Sequence, residues 1–394
     1  MNIYIAVVYY LPSTKSSAKM IHDLAFEFGR LGHQVTVITV SDVTESDFEI
    51  TNENGIRVLR VKTGKIDGAS KILRAFNELM ISRNIWQNGK KYFESNPCDL
   101  IVWYSPTIFF GSLVAKIKKR FSARSYLILR DIFPEWAIDA GILKNGIVSR
   151  FFQIKALEQY NAADIIGVQS PANLEHFQKN YLSYRIKIEV LYNWTSSVEK
   201  GIPNSSYREK FGLKDKVVFF YGGNIGLAQD FDNIIRLAEN VRNENRAFFL
   251  IVGEGSESER LKKIILVKNL KNIRICEPVS QKEYLAMLSE FDVGMISLDK
   301  KLQTHNFPGK MLGYMYFSMP VLASINQGND LQFLLEEENA GLVSINGDDH
   351  LFKENALKLV NDIQTRRDLG GNAKILLEKK FEVNKAASQI LSHF

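Results

Sequence analysis

Val217-Val218-Phe219-Phe220-Tyr221-Gly222-Gly223-Asn224-Ile225-Gly226 joins a run of β-branched and aromatic residues to a glycine-rich turn, and a helical pattern follows from about Gln229. A buried strand that ends in glycines and opens a helix lets backbone N–H groups approach an anion at the helix start. The spacing is not Gly-x-Gly-x-x-Gly, so a nicotinamide fingerprint is absent. A tight turn serving packing alone uses the same residues.

Outward from this stretch the pattern repeats. Downstream, Phe248 to Val252, Ile273 to Ile275, Val293 to Ile296, Val321 to Ala323 and Gly341 to Val343 are short apolar runs separated by helical patterns. Upstream, Asn193-Trp194-Thr195-Ser196-Ser197 and Gly201 to Ser206 are polar and turn-rich, as an interdomain connection is. Before it, Ile3–Tyr10 and Gln34–Val40 bracket a helical segment, Ser16 to Leu31, ending at Gly32. Further apolar runs at 99–103, 125–129, 164–168 and 187–191 continue the alternation. Strands alternating with helices predict mostly parallel sheets covered on both faces. The expectation is α/β: two Rossmann-like, doubly wound lobes facing a cleft, one over 1–195 and one over 196–375. A helical tail over 376–394 is expected to return toward the first lobe.

Bulk properties agree. At 394 residues, 45% hydrophobic and 24% charged, the chain suits two globular domains rather than a disordered or collagen-like protein. Cys98 and Cys276 stand far apart with no metal spacing, which predicts a reducing compartment without disulfides. Met1 to Val8 lacks a basic leader and reads as a first strand. No run approaches the ~18 apolar residues of a membrane span. Charge is uneven: residues 1–195 hold 24 Lys and Arg against 18 Asp and Glu, whereas 196–394 hold 26 of each. A basic lobe is drawn to anionic surfaces, lipid among them, although a solvated basic face without a partner has the same composition.

Ligands in parallel sheets sit beyond the carboxyl ends of the strands, so the turns there carry the candidate residues. Gly222, Gly223, Asn224 and Gly226 form the first; Gly253 and Glu254 follow the next strand and place a carboxylate where a sugar hydroxyl can be held. Pro308-Gly309-Lys310 opens a helical pattern, and a cation in a first helical turn is unfavourable unless an anion neutralises it. In the first lobe Arg130-Asp131-Ile132-Phe133-Pro134-Glu135-Trp136 ends a strand; such a cluster meets either polar ligand groups or its own ion-pair partners. Ser13 and Lys15, in the first strand's turn, are compatible with acceptor contact and with simple capping. Asp230 and Asp232 diverge on a helix, and the six histidines are scattered, so no metal ligand set is indicated. Phe109 through Arg120 to Phe121, and Lys71 to Tyr92, combine aromatic and basic residues in a manner compatible with docking on anionic lipid rather than nucleic acid.

In this order, Gly222-Gly223-Asn224-Ile225-Gly226, Val252-Gly253-Glu254-Gly255, Pro308-Gly309-Lys310 and Met319-Pro320-Val321-Leu322-Ala323 make a chain that resembles family 4 of the GT-B glycosyltransferases over essentially its whole length. Within that family it is similar to bacterial O-antigen and capsule enzymes of the N-acetyl-L-fucosamine transferase type. The resemblance implies a metal-independent transferase with no cofactor, a UDP-sugar donor held mainly by the second lobe, and an acceptor sugar on undecaprenyl diphosphate at the inner face of the cytoplasmic membrane. It places Gly222, Gly223 and Asn224 in a phosphate loop, Lys310 on the diphosphate, and Asp131 at the donor sugar, with Arg130 where a histidine is usual. Asp131, Arg130 and Lys310 are therefore the catalytic candidates. Gly222, Gly223, Asn224, Gly226, Gly253, Glu254 and Pro308 are the donor candidates, and Ser13, Lys15 and Glu135 the acceptor candidates. The resemblance implies retention of configuration, while Asp131 by its chemistry is also compatible with a base in an inverting reaction.

The chain departs from the family where cations usually stand near Gly223 and Gln229, and where Gly313 and His305 replace a ribose-binding glutamate and its partner. Ribose recognition then falls to Glu254 or another group. Alternatives of other kinds are a UDP-sugar 2-epimerase of the same fold, a non-catalytic nucleotide-sugar-binding protein, and a nicotinamide dehydrogenase. The last is disfavoured because Glu254 lies well beyond the ~20-residue spacing of that fingerprint.

Overall fold

A computed structural model describes the chain except for residues 14, 67, 140, 182–185, 197–205 and 303–306, and gives only the backbone of 71, 72 and 139. His305 and most of the expected interdomain connection lie outside the described residues. The chain forms two compact units, Met1–Ser196 with Val383–Phe394, and Ser197–Glu382.

The first unit has an eight-stranded sheet made of β1 (Asn2–Ala6), β2 (Gln34–Ser41), β3 (Phe48–Glu53), β4 (Ile56–Lys62), β5 (Leu100–Tyr104), β6 (Arg124–Leu129), β7 (Ile165–Val168) and β8 (Lys187–Val190). Its order is β3-β4-β2-β1-β5-β6-β7-β8, with every pair parallel except β3–β4. That hairpin adds two strands the apolar runs did not announce. It turns through Asn54 and Gly55, both at positive φ, the pairing that matches the twist of two antiparallel strands.

Because successive side chains of a strand point to opposite faces, the central strands feed two cores. Tyr4, Ala6, Ile101, Trp103 and Leu127 join one, and Ile3, Ile5, Val102, Tyr126 and Ile128 join the other. The second core is completed from the far end of the chain. Ala386, Ala387 and Ile390 of the helix Val383–Leu391 lie with Ile21, Leu24 and Phe28 of the helix Ser16–Arg30. Backbone and side-chain bonds fix the return: Val383 N–H donates to Thr195 O at 3.1 Å, and Gln389 Nε2 to Val190 O at 2.9 Å. Of the tail expected over 376–394, the residues up to Glu382 stay with the second unit.

The second unit is built on β9 (Val217–Gly222), β10 (Ala247–Val252), β11 (Ile273–Cys276), β12 (Val293–Ser297), β13 (Val321–Ile325) and β14 (Gly341–Ile345). The order β11-β10-β9-β12-β13-β14, all parallel, is the 3-2-1-4-5-6 order of a doubly wound sheet. The order reverses between β9 and β12. A crevice forms at the carboxyl edge at such a switch point, which directs attention to the residues after Gly222 and after Ser297.

All four tryptophans, Trp86, Trp103, Trp136 and Trp194, belong to the first unit, so their fluorescence reports its unfolding alone. Ile390→Ala removes a fully buried side chain from the second core of that unit. It is expected to lower the stability read by tryptophan fluorescence in urea by about 2–5 kcal/mol.

Candidate functional site

The turn after β9 is packed against the turn after β10 more tightly than side chains allow. Gly253 has φ +155, and a β-carbon there would stand 1.9 Å from Gly223 O. On Gly222 it would meet Tyr284 Cε2 at 2.3 Å. The two turns are laced together by Gly223 N–H to Val252 O at 2.9 Å, Ile225 N–H to Glu254 O at 2.8 Å and Glu257 N–H to Ile225 O at 3.1 Å.

This lacing changes the expected phosphate loop. Gly222 N–H donates to Tyr314 Oη at 3.4 Å and Gly226 N–H to Gln229 Oε1 at 3.1 Å, so with Gly223 and Ile225 four of the five donors from 222 to 226 are already used inside the protein. Only the N–H of Asn224 has no protein acceptor among the described residues. The helical pattern also starts differently: a single 3-10 turn, Leu227–Gln229, precedes the helix Phe231–Asn240, with Asp230 at positive φ between them.

What the turn does present is a cation. Lys310 is the first residue of the helix Lys310–Tyr316, following Pro308, whose carbonyl accepts from Met311 N–H at 3.0 Å. Its Nζ lies 3.6 Å from the centre of the Tyr221 ring, and a β-carbon on Gly223, at φ +135, would be 3.5 Å from its Cε and 3.6 Å from its Nζ. Among the described residues it has neither a carboxylate partner nor a hydrogen-bond acceptor. Burial pushes the ammonium from its ordinary value of 10.5 down to about 7. The ring face holds the charged form in place, but an aromatic quadrupole does not replace the water lost. Tyr221 is itself fully buried, and its hydroxyl donates to Asn224 O at 2.7 Å. It ties the ring that holds the lysine to the turn the lysine faces. Nothing in the sequence singled out Tyr221, because its role arises from a contact between residues far apart in the chain.

Gly313, one turn into the same helix, is explained by its neighbours. A β-carbon there would meet Leu288 Cδ1 at 3.0 Å and Tyr284 Oη at 3.6 Å. The helix Gln281–Leu288 fills the space beside it. Glu254 is exposed and contributes its carbonyl, not its carboxylate, to the lacing of the turns. Asp232 pairs with Arg260 at 3.0 Å, and Asp230 accepts from Asn346 Nδ2 at 2.9 Å, so the two carboxylates diverge.

In the first unit, Arg130 is turned inward. Its guanidinium is buried, donates from Nη1 to Leu191 O at 2.8 Å and from Nη2 to Tyr192 O at 3.2 Å, and lies 5.3 Å from the Trp194 ring centre. It clamps the end of β6 to the chain leaving β8 and leaves only a buried Nε unpaired. Desolvation lowers it to about 10. Asp131 beside it is partly buried and has no hydrogen-bond partner among the described residues. Burial raises its carboxyl above the ordinary 3.8, and Arg130 opposes the rise. Glu135 accepts from the Tyr181 hydroxyl through Oε1 and keeps Oε2 buried without a partner. It lines a 430 Å³ cavity with Asn145, Gln153, His176 and Asn180. Ser13 Oγ accepts from Lys15 N–H at 3.4 Å, and Lys15 Nζ lies 3.3 Å from the Tyr9 ring centre; no side chain caps the helix Ser16–Arg30.

The structure thus brings Gly222, Gly223, Asn224 and Lys310 together at the switch point of the second unit, and gathers Asp131 and Glu135 after β6 of the first. Of the two helices expected to dock on lipid, Gly111–Phe121 buries Leu113, Val114 and Ile117, so its apolar side is core and is not available. Lys71–Asn88 exposes Leu73, Phe76 and Leu79.

Residues 204–375 match the family model of glycosyl transferases group 1. The matched stretch lies in the second unit and contains the Gly223–Lys310 contact. In sequence the chain is 26% identical over 224 residues to the probable glycosyltransferase WbjE of Pseudomonas aeruginosa, covering 55% of this chain and 54% of that one. It is 24% identical over 225 residues to the putative colanic acid biosynthesis glycosyl transferase WcaI of Escherichia coli, covering 54% of each. The chain therefore spans about half the length of these curated relatives. In structure it superposes on Alr3699/HepE of Anabaena, solved in complex with UDP, with a TM-score of 0.68 at 14% identity over 100% of this chain and 99% of that one. The architecture is the GT-B fold, with two parallel-sheet α/β units.

The uncompensated ammonium has a thermodynamic signature. With its folded value at about 7 and its unfolded value near 10.5, the unfolded chain holds a proton that the folded one has released between these limits. Stability therefore rises with pH across that window, by up to about 1.4 kcal/mol per pH unit, and the destabilisation is complete below about pH 7. Lys310→Met is expected to raise the urea midpoint of the second unit at pH 6.5, followed by far-UV circular dichroism, and to flatten its rise between pH 7 and 9.

Proposed function

We propose that this protein is a glycosyltransferase that moves a sugar from a UDP-sugar to an acceptor carried on a lipid diphosphate during synthesis of a cell-surface polysaccharide such as O-antigen or capsule. The observation that carries the reading is the ammonium of Lys310, without a partner among the described residues, against Gly223 at the switch point, inside the stretch that matches the group 1 family. A buried cation without a counter-ion is satisfied by an anion from outside, and the diphosphate of a nucleotide sugar supplies one. The names of WcaI, a colanic acid biosynthesis enzyme, and of the UDP complex of HepE favour the same substrate classes.

On this reading Lys310 holds the diphosphate and stabilises the negative charge that grows on it as the glycosidic bond breaks. Once the diphosphate has drawn a proton onto it, its ammonium does the work that a divalent ion does in other transferases, so transfer is expected to persist in excess chelator. Asn224 offers one backbone N–H to the same group. Asp131, held protonated to a higher pH than an ordinary aspartate, faces the reacting sugar or the acceptor hydroxyl. Glu135, with an unpaired buried oxygen, is an acceptor contact. Arg130 positions Asp131 through the backbone clamp and through its charge. The donor proposed from the family resemblance is an N-acetylated 6-deoxyhexose such as N-acetyl-L-fucosamine, and the site of action is the inner face of the cytoplasmic membrane.

Two measurements test the assignment. If an anion restores the charge on Lys310, UDP binding at pH 8 takes up close to one proton, read by calorimetry in buffers of different ionisation enthalpy. Lys310→Met abolishes the uptake and weakens UDP binding by about 10–100-fold, the value of a charged hydrogen bond. UDP binding without proton uptake removes Lys310 from the donor site. Asp131→Asn is expected to leave UDP affinity unchanged while lowering turnover by about 100-fold or more. In the wild type, turnover on the acid side falls at a higher pH than an ordinary aspartate would give.

A further inference from the structure

The helix Ile147–Ala162 turns its apolar side the wrong way at its start. Ser149, Ala156, Gln159 and Tyr160 are buried against the unit, whereas Ile147, Val148, Phe151 and Ile154 are 90, 56, 37 and 49% exposed. The spacing i, i+4, i+7 puts Ile147, Phe151 and Ile154 in one outward stripe. In the loop before it, Ile142 is 71% exposed. A soluble helix places such residues inward, and a run of them facing out marks an interaction surface.

The flanks of the stripe are cationic. Lys144 and Arg150 are exposed beside it, and Lys116, Lys119 and Arg120 are exposed on the helix Gly111–Phe121 that packs against it. That charge selects the occupant. A second copy would bring the same cations face to face, and five apolar side chains fall short of the roughly 800 Å² per partner that a stable interface buries. An anionic lipid surface accepts both parts, the apolar side chains at the acyl boundary and the cations among the headgroups. The location fits as well. In a β-strand to helix crossover the helix starts at the carboxyl edge of the sheet, where β6 delivers Asp131 and Glu135.

We propose that Ile142, Ile147, Val148, Phe151 and Ile154, with Lys144 and Arg150, form the surface by which the first unit inserts into the interface of an anionic phospholipid membrane. This deepens the lipid-linked acceptor reading and rests on it. Docking here sets the acceptor edge of the first unit at headgroup level, where the hydroxyl of a lipid diphosphate sugar is presented.

The test is co-sedimentation of the full chain with phosphatidylglycerol–phosphatidylethanolamine vesicles and with phosphatidylcholine vesicles, at low and high salt. UDP binding by calorimetry runs alongside as a readout of the second unit. The wild type is expected to prefer the anionic vesicles and to lose much of that preference in high salt. Ile147→Glu with Val148→Glu lowers partitioning at least tenfold, with the thermal midpoint and UDP affinity unchanged, since both side chains already face solvent. Lys144→Glu with Arg150→Glu weakens binding at low salt and shrinks the salt dependence. Equal binding by the variants and the wild type, or no binding by the wild type, overturns the proposal. So does a wild-type dimer in sedimentation velocity that Ile147→Glu splits, which would make the stripe a self-association surface. In each case intact UDP binding leaves the donor-site reading standing, whereas failure of the wild type to bind UDP sinks that reading whatever the vesicles show.

Discussion

Gly253 approaches Gly223 O so closely that it tolerates no side chain, Gly223 is itself held at φ +135, and the second unit's site is arranged around that approach. With the turn after β10 pressed on the turn after β9, backbone donors that a looser loop would offer to a ligand are consumed between the turns. The space left on the open side of Gly223 is taken by Lys310, lying on the face of Tyr221. A site built this way offers an anion one localised charge rather than a ring of amides. The lysine is also pre-positioned, because Tyr221 is locked by its own hydrogen bond to Asn224. Pre-organisation of this kind shifts the energetic burden to folding, where a desolvated charge is carried without a partner.

The two units bury charge in opposite ways. Arg130 is desolvated completely, but its Nη donors are satisfied by two backbone carbonyls, so its charge serves the architecture. Lys310 is half-buried and has no acceptor among the described residues. The two cations differ above all in satisfaction, and an unsatisfied cation is the kind of group that a ligand can complete. Asp131 belongs with Lys310 on this criterion, since its proximity to Arg130 produces an electrostatic pull and no hydrogen bond.

Much of the architecture was legible because it is written in local periodicity. The apolar runs named β1, β2, β5 to β8 and the six strands of the second unit, and the alternation with helices implied parallel pairing. The β3–β4 hairpin was missed even though Asn54-Gly55 is a strong hairpin signal, because β3 is largely exposed and its residues, Phe48 to Glu53, lack an apolar run. The return of the chain at Val383 was legible as a tail but not as a boundary, since no composition change marks Glu382. At the site, the pairing of the glycine turn with Lys310 was reached through the family resemblance, which assigns both to one diphosphate. The consumption of the turn's N–H groups, the stacking on Tyr221 and the clamp made by Arg130 depend on tertiary contacts between distant residues, which periodicity does not encode.

Gly313 shows how an apparent loss at the site can be a packing decision. A glycine inside a helix costs about 1 kcal/mol relative to alanine, so its presence calls for a compensating contact. Leu288 supplies it, coming within 3.0 Å of where a β-carbon would be, and Tyr284 stands behind. The same Tyr284 closes on Gly222, and Tyr314, from the helix that carries Gly313, accepts the Gly222 N–H. Gly222 and Gly313 are thus two sides of one aromatic wall, and that wall backs the lysine's helix against β9. Any longer side chain at 313 would have to displace Leu288 or Tyr284, and with Tyr284 the support of Gly222. The residue choice at 313 and the placement of Lys310 are therefore coupled: this chain has traded a functional group at 313 for a rigid seat under its cation.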